Sequence, residues 1–230
     1  MAIFALADLH LSFGTDKPMD VFGEAWGDYT ERIRTNWQKK VTNDDLVIIP
    51  GDVSWATYIE DAKQDFDFIN RLNGQKVIIK GNHDYWWTTL SKMNKFIEEN
   101  NFNTIRILNN TAIEFENAAI CGTRGWWYRD EQSEEDNKIL EREKIRLILA
   151  LEEARKLKKE RIIVALHYPP LDSMSTNRDF MDIIKEYGVE TCVYGHLHSY
   201  AHKSAVEGMV DNVCLKLVSA DYLKFDPLLV

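Results

Sequence analysis

Short apolar runs alternate along this chain with segments in which apolar residues recur every three or four positions. Each of the main runs is short and bounded by polar or turn residues, which predicts buried strands over 3–7, 45–49, 76–80, 161–166 and 190–194. The periodic segments predict helices over 20–40, 58–72, 88–100, 136–159 and 180–187. Alternating strands and helices of this kind indicate an α/β fold.

Two stretches depart from that alternation. Residues 104–121 predict short strands with a hairpin turn at Asn109-Asn110, and residues 206–219 predict a hairpin around Asp211-Asn212. Residues 221–230 are expected to form a tail or a sheet edge. The strand-rich later part of the chain indicates a mixed sheet. Because no repeat, low-complexity segment or linker interrupts the chain, we interpret residues 1–230 as one domain.

Polar residues follow nearly every predicted buried strand. They include five of the six histidines of the chain, and the set is Asp8, His10, Asp52, Asn82, His83, His167, His196 and His198. The carboxyl ends of parallel strands lie at one edge of a sheet, which is where open α/β sheets place their ligand sites. We therefore expect these side chains to converge.

Each of these residues has an ordinary explanation when it is considered alone. Asp8 and His10 suit a surface turn, Asp52 suits a turn or a helix cap, and Asn82 tolerates a positive φ. Taken together, the repeated placement of Asp, His or Asn after five strands favours a metal site. Mixed imidazole and carboxylate ligands suit Mn, Fe, Co, Ni or Zn. Two such ions about 3.5–4 Å apart need a shared ligand, and Asp52 is the expected bridge because it lies between the flanking sets.

Composition narrows the class of protein. The net charge of −9 argues against a general nucleic-acid-binding surface, and no apolar stretch approaches the ~20 residues of a membrane span. The three cysteines lie in or beside apolar runs without a CxxC motif, which suits buried thiols in a reducing compartment. The N-terminal residues resemble a strand rather than a signal peptide. We expect a cytoplasmic protein.

The ordered motifs resemble those of the calcineurin-like metallophosphoesterase superfamily. They are Asp8-x-His10, Gly51-Asp52, Gly81-Asn82-His83-Asp84, His167 and Gly195-His196-x-His198. The resemblance implies a four-layer α/β/β/α sandwich of two mixed β-sheets flanked by helices. It also implies one metal ion held by Asp8, His10, Asp52 and His198, and a second held by Asp52, Asn82, His167 and His196.

The same resemblance implies a hydrolase of phosphate esters, either a phosphatase or a phosphodiesterase. A hydroxide bridging two divalent metal ions would attack phosphorus in line. His83 would protonate the leaving group, with Asp84 orienting it. The alternatives are a non-catalytic metal-binding scaffold and a nuclease acting on short oligonucleotides. The intact His83 and the complete ligand set speak against the scaffold, and the negative charge speaks against the nuclease.

Departures from individual branches of the superfamily are also informative. Trp55 stands where purple acid phosphatases carry a tyrosine ligand, so a ferric-tyrosinate site is not expected. The residues after Asp52, and Asp84 in place of Glu, disfavour the eukaryotic-type serine/threonine protein phosphatases. The lipid-A-pathway pyrophosphohydrolases carry Arg at the position of His83, so His83 leaves the acid role open.

Two aromatic clusters follow the predicted strand ends, Tyr85-Trp86-Trp87 and Trp126-Trp127-Tyr128, and Arg124 and Arg129 flank the second. One hypothesis is a stacking platform in which Trp126 and Trp127 contact a flat, nucleotide-like substrate while Arg124 or Arg129 binds its phosphate. The alternative is that these large rings only pack the loops over the sheet. In either case we expect the partner to be a small phosphorylated substrate.

Overall fold

The computed structural model describes residues 1–127, 133–173 and 177–230. Within these ranges the strands form one sheet of five and one sheet of six. The first sheet contains β1 (Ile3–Ala5), β2 (Leu46–Ile49), β3 (Gln75–Ile78), β4 (Ile105–Ile107) and β11 (Leu228–Leu229). The second contains β5 (Ala112–Phe115), β6 (Ala118–Thr123), β7 (Arg161–Leu166), β8 (Thr191–Tyr194), β9 (Gly208–Val210) and β10 (Val213–Leu217).

The first sheet has the strand order β11-β1-β2-β3-β4. Strands β1 to β4 run parallel, and β11 pairs antiparallel with β1 at the edge. The expectation that residues 221–230 form a tail or an edge is therefore confirmed. Because β2 lies between β1 and β3, the residue that follows β2 lies between the residues that follow its two neighbours.

The second sheet has the strand order β5-β6-β7-β8-β10-β9. Its inner strands β6, β7, β8 and β10 are parallel, whereas β5 and β9 pair antiparallel at the two edges. The β9–β10 hairpin turns at Asp211 and Asn212, which have φ angles of 49° and 68°. Two successive positive φ values suit the twist of a two-residue hairpin, and the sequence prediction there is confirmed.

The predicted hairpin turn at Asn109-Asn110 is wrong. Strand β4 belongs to the first sheet and β5 to the second, so these asparagines lie in the crossover between sheets. The turn instead occupies Glu116 and Asn117, since Phe115 pairs with Ala118 across the β5–β6 hairpin. Both sites offer turn residues, and only the partner strand decides which one closes a hairpin.

Helices cover the outer face of each sheet. They are α1 (Tyr29–Lys40), α2 (Lys63–Arg71), α3 (Leu90–Glu99), α4 (Glu134–Lys156) and α5 (Asp179–Glu186). Side chains of α1, α2 and α3 share a buried cluster with the first sheet, and those of α4 and α5 share one with the second. The layers therefore run helices, sheet, sheet, helices, as the resemblance implied.

The helix predicted over 20–40 begins later than expected. Two 3₁₀ turns, Met19–Phe22 and Glu24–Trp26, occupy its first half, and the α-helix begins only at Tyr29. Gly23 separates the two turns with a φ of 122°, a conformation that L side chains rarely adopt. The helix predicted over 58–72 also begins late, at Lys63, after a pair of turns that bond Tyr58 to Asp61 and Ile59 to Ala62.

The two sheets face each other across a third apolar cluster. Strand residues alternate between faces as the pleat requires, so Leu46 and Ile48 point between the sheets while Val47 and Ile49 point toward the helices. The backbone of Ala7 joins the sheets: its N–H donates to Val218 over 2.7 Å and its carbonyl accepts from Ala220 over 3.0 Å. This parallel bridge aligns the carboxyl ends of both sheets at one edge.

None of the helices in the described ranges combines the length and apolar character that a membrane span requires.

Candidate metal centre

The polar residues predicted from the strand ends converge at the aligned edge of the two sheets. Those after β1, β2 and β3 come from the first sheet, and those after β7 and β8 come from the second. The structure contains two groups of possible metal ligands, and the ligand atoms within each group lie within 4.8 Å of one another. The groups are Asp8, His10 and His198, and Asp8, Asp52 and His167.

The first set of donors surrounds His10. Its Nε2 atom lies 3.3 Å from Nε2 of His198 and 3.8 Å from Oδ2 of Asp52. Oδ1 of Asp8 lies 3.7 Å from the same nitrogen of His198. Two imidazole nitrogens and two carboxylates therefore lie close together, and they belong to the four residues that the resemblance names for the first ion.

The second set of donors surrounds Asn82. Its Oδ1 atom lies 2.6 Å from Nε2 of His167 and 2.8 Å from Nδ1 of His196. Those two imidazole nitrogens are 3.2 Å apart. Oδ2 of Asp52 lies 3.6 Å from Nε2 of His167, so the same carboxylate oxygen reaches toward both sets.

Several of these residues have positive backbone φ angles, and this conformation sets the direction of their side chains. Asp8, His10, Asp52 and His196 have positive φ angles of 59°, 46°, 51° and 73°. Non-glycine residues rarely adopt this region, and such residues cluster at functional sites. The strand-end turns thus direct donors from both sheets toward the same space.

Two of the motif glycines are required by the close approach of a carboxylate. A Cβ atom at Gly81 would lie 2.1 Å from Oδ1 of Asp52, and one at Gly195 would lie 2.5 Å from Oδ2 of Asp8. Any side chain there would displace the two acids. The glycines of the GNHD and GHxH motifs therefore make room for Asp52 and Asp8.

Hydrogen bonds orient two of the histidines toward the centre. Nδ1–H of His167 donates to the carbonyl of Pro50 over 2.9 Å, and Nδ1 of His198 lies 2.9 Å from Oδ1 of Asp221. In both rings the opposite nitrogen, Nε2, then faces the other donors, as in the outer-shell bonds that orient metal-binding histidines. Sequence reasoning missed Asp221, although it follows the last inner strand of the second sheet as the other acids follow theirs.

Burial lowers the pKa of three of the candidate metal-binding histidines, whereas the carboxylates of Asp8 and Asp221 outweigh burial at His198 and raise its pKa to about 10. Burial lowers the pKa of His10 to about 3 and that of His196 to about 2, and it also lowers the pKa of His167. Neutral imidazole is the form that binds a metal ion. Burial and the nearby charge of Asp8 raise the pKa of Asp52 to about 8. Two buried acids at close range repel each other, and a cation between them relieves that repulsion.

Asp84 has a different role from the one that the sequence suggested. We expected it to orient His83, but its carboxylate accepts from the backbone N–H groups of Gly81, Asp52 and Val53, over 2.7, 3.0 and 2.8 Å. It also accepts from Nε1 of Trp86 over 3.0 Å. The carboxylate therefore holds the Gly51-Asp52 turn against the Gly81-Asn82 turn rather than holding the imidazole ring.

His83 lies at the half-exposed rim of the centre. Its backbone N–H donates to Oδ1 of Asp52 over 2.8 Å, and its Nδ1 lies 3.3 Å from the hydroxyl of Tyr85. The ring packs 4.5 Å from the ring of Trp55. Trp55 also stacks on His10 at 4.9 Å, and Nζ of Lys17 lies 3.4 Å from its centroid. Sequence reasoning noticed Trp55 only as a departure from other branches and missed Lys17.

The aromatic clusters separate into different environments. The Trp127 ring lies 5.4 Å from that of His196, beside the centre. Trp86 is buried in the core of the first sheet, which is the packing role considered as the alternative. The guanidinium of Arg124 lies over Trp126 at 4.7 Å and pairs with Glu143 at 3.4 Å. Arg129, like Tyr128, lies outside the described residues.

The comparisons with known proteins identify the family of this chain. The sequence matches the model of the calcineurin-like phosphoesterase family over residues 1–200. The chain therefore belongs to the calcineurin-like phosphoesterase family. No curated protein matches it by sequence.

Solved structures show the same fold at low sequence identity. A phosphopantetheinyl hydrolase from Mycobacterium tuberculosis has a TM-score of 0.54 at 14% identity, covering 100% of this chain and 95% of that one. A protein of unknown function from Aquifex aeolicus has a TM-score of 0.54 at 14% identity, covering 99% of this chain and 95% of that one. A protein from Thermus thermophilus has a TM-score of 0.55 at 13% identity, covering 85% of this chain and 81% of that one.

The donor set fits a divalent-metal centre of this family. Neutral imidazoles, carboxylates and one amide oxygen are the ligand types that borderline divalent ions accept. The family and the candidate ligand groups together indicate a metal-dependent phosphoesterase.

Proposed function

We propose that this protein is a dinuclear-metal-dependent hydrolase of small phosphate esters. The observation that carries the proposal is the position of Asp52, whose Oδ2 lies 3.8 Å from His10 Nε2 and 3.6 Å from His167 Nε2. A carboxylate between two sets of imidazole donors is the ligand that a closely spaced pair of ions must share.

In this proposal each metal ion has its own ligand set. Asp8, His10, Asp52 and His198 would hold the first ion, while Asp52, Asn82, His167 and His196 would hold the second. Mn, Fe, Co, Ni and Zn are the ions whose preferences suit these donors. When bound, the two ions supply Lewis-acid polarisation of the phosphoryl oxygens and a nucleophile at neutral pH.

His83 acts as the general acid. Its Nδ1 is engaged by the Tyr85 hydroxyl at 3.3 Å, which leaves Nε2 as the atom that donates a proton to the departing alkoxide. The bond from its backbone N–H to Asp52 fixes the loop that carries the ring. A general acid placed in this way contributes roughly 10²–10⁴-fold to a rate.

The half-exposed rim favours a small substrate with a flat group beside the scissile ester. Trp127 next to His196 and Tyr85 next to His83 offer aromatic faces on two sides of the centre. A nucleotide-like leaving group suits such faces. The first experiment determines whether the protein prefers phosphate monoesters or diesters.

That experiment is hydrolysis of a chromogenic phosphate monoester beside the matching diester. The full chain is assayed with Mn²⁺, Fe²⁺, Co²⁺, Ni²⁺ or Zn²⁺ and with chelator. We expect chelator-sensitive turnover that falls by roughly 10³-fold in Asp52→Asn and by roughly 10²–10⁴-fold in His83→Ala. The control is Asp226→Asn, which removes an acid from an exposed pair with Lys40.

The preferred ester distinguishes a phosphatase from a phosphodiesterase. Absence of turnover with every metal, in a protein that still binds two ions, would overturn the hydrolase and favour a non-catalytic scaffold. Preferred cleavage of short oligonucleotides would favour the nuclease alternative.

A further inference from the structure

A second concave site adjoins the metal centre at the same edge of the two sheets. It is a cavity of about 270 Å³ bounded by the segments after β3, β4 and β6 and by one face of α4. At ~30 Å³ per water molecule, this volume suits a small ligand group rather than a single water. Its lining includes Lys80, Trp87, Asn110, Arg124, Glu143 and Arg146.

The lining is strongly cationic for a chain of net charge −9. Lys80, Arg124 and Arg146 contribute three positive charges, and Glu143 contributes one negative charge. The balance is an excess of two positive charges. A phosphate monoester carries nearly two negative charges at neutral pH because its second pKa is about 6, so its charge matches that excess.

Glu143 organises two of the three cations. It is 1% exposed, and its Oε1 lies 2.6 Å from Nη1 of Arg146 and 3.4 Å from Nη2 of Arg124. Its Oε2 accepts a hydrogen bond from Thr123 over 2.6 Å. One buried carboxylate thus fixes two guanidinium groups side by side, which is the arrangement that binds phosphate oxygens in forked pairs.

The cavity is directly next to the metal centre along the strand order. Lys80 immediately precedes Gly81-Asn82, which follow β3, and the carbonyl of Arg124 accepts the N–H groups of His167 and Tyr168 over 3.1 and 2.9 Å. Strand β6 is the neighbour of β7 in the second sheet. Two of the residues that line the cavity are therefore joined to the segments that carry Asn82 and His167, one through the chain and the other through backbone hydrogen bonds.

We propose that this cavity is a second phosphate-binding subsite, and that the preferred substrates carry two phosphate groups. One group would lie at the metal centre, and the other would be held by Arg124, Arg146 and Lys80. The substrate class of this inference rests on the proposed function. The binding of phosphate in the cavity does not, so the two can fail separately.

The kinetic test uses alkanediol bisphosphates with two to six carbons, together with the matching monophosphates. Because the series varies the spacing between the phosphates, it needs no assumption about the distance between the two sites. We expect at least one bisphosphate to have a KM at least 10-fold below that of its monophosphate, and Arg146→Gln to abolish that difference. Equal KM values at every spacing would overturn the two-phosphate substrate.

The binding test measures how many phosphates each chain binds, by equilibrium dialysis of the metal-loaded protein with labelled inorganic phosphate. We expect two per chain in the wild type, one in Asp52→Asn and one in Arg146→Gln. Arg146→Lys, which keeps the charge, should retain the second phosphate. Arg142→Gln is the matched control, since Arg142 is an exposed residue one turn earlier on α4 whose guanidinium bonds the carbonyl of Lys138.

The outcomes separate the two proposals. If Asp52→Asn loses one phosphate and Arg146→Gln loses none, the subsite is wrong and the metal centre stands. If Arg146→Gln loses one bound phosphate and Asp52→Asn loses none, the subsite is supported and the proposed phosphate site at the metal centre is wrong. If Arg142→Gln loses as much bound phosphate as Arg146→Gln, the effect comes from general surface charge, and the subsite is wrong.

Discussion

Asp221 lies 2.9 Å from Nδ1 of His198, and its other oxygen accepts the backbone N–H of Ser199 over 3.2 Å. The acid follows the last inner strand of the second sheet and fixes both the ring of His198 and the turn beyond it. Since Nε2 of His198 faces His10 and Asp8, this single carboxylate sets the direction of one proposed metal ligand.

Removing that carboxylate should weaken metal binding without removing a ligand. We expect Asp221→Ala to lower the affinity for the first ion by about 10–100-fold, the usual effect of losing an outer-shell partner. Titration of the metal into chelator-treated protein measures this change. Asp226→Asn is the control, because Asp226 pairs with Lys40 on the surface. Unchanged affinity in Asp221→Ala would show that His198 needs no such support.

Asp84 should act on stability as well as on activity. Its carboxylate accepts hydrogen bonds from four backbone N–H groups and from the Trp86 indole. In Asp84→Asn an amide group replaces an acceptor oxygen, so at least one buried donor loses its partner. We expect the free energy of unfolding in urea to fall by about 2–3 kcal/mol. The control is the half-buried Asp67, whose change to Asn removes only a surface pair with Arg71 and should alter the free energy of unfolding by less than about 0.5 kcal/mol. Equal effects of the two substitutions would refute this role.

A buried lysine makes stability depend on pH. The Nζ of Lys76 donates to the carbonyls of Leu72 and Gly74 over 2.5 and 2.8 Å, and burial lowers its pKa to about 7. Between pH 7 and the ordinary lysine pKa the unfolded chain binds more protons than the folded one, so stability rises with pH in that window.

The measurement is the urea midpoint of the wild type and Lys76→Met between pH 7 and pH 9. We expect the wild type to gain roughly 1–2 kcal/mol over this range relative to the variant. At pH 9 the variant should be less stable, since Met leaves two carbonyls unpaired. The exposed Lys95→Met should keep the wild-type slope, and parallel pH profiles for wild type and Lys76→Met would contradict the account.

Trp127 should distinguish substrates by their leaving groups. Its ring lies 5.4 Å from that of His196. If it stacks on the substrate, Trp127→Ala should raise KM for an aromatic phosphate ester by about 2–10-fold relative to an aliphatic one. Trp127→Phe should restore most of the difference. Equal effects on both esters would mean that the ring only packs the loop.

Much of the candidate centre was predictable because its proposed ligands occupy equivalent positions in the chain. Asp8, Asp52, Asn82 and His167 each follow a buried apolar strand, and parallel strands bring such positions to one edge. The structure confirms that convergence with distances below 4 Å between neighbouring donors. The layers of helices and sheets were likewise expected from the resemblance and are confirmed.

The sequence did not reveal which distant segments of the chain pair or form hydrogen bonds with each other. Asn109-Asn110 and Glu116-Asn117 are both plausible turns, but only the second closes a hairpin, because β4 and β5 pair in different sheets. Asp84 was assigned to the neighbouring His83, whereas its partners include the Asp52 turn, more than thirty residues away in sequence. Asp221 was missed because its partner, His198, is brought close only when β8 and β10 pair.

The central claim is that two ligand sets share Asp52, and metal counting tests it most directly. Elemental analysis of the purified, metal-loaded chain should give two ions per chain in the wild type. His198→Ala and His196→Ala should each retain one ion, since they remove ligands from different sets, and Asp52→Asn should retain one at most. One ion per chain in the wild type, or two ions retained in either histidine variant, would contradict a dinuclear centre with these two ligand sets.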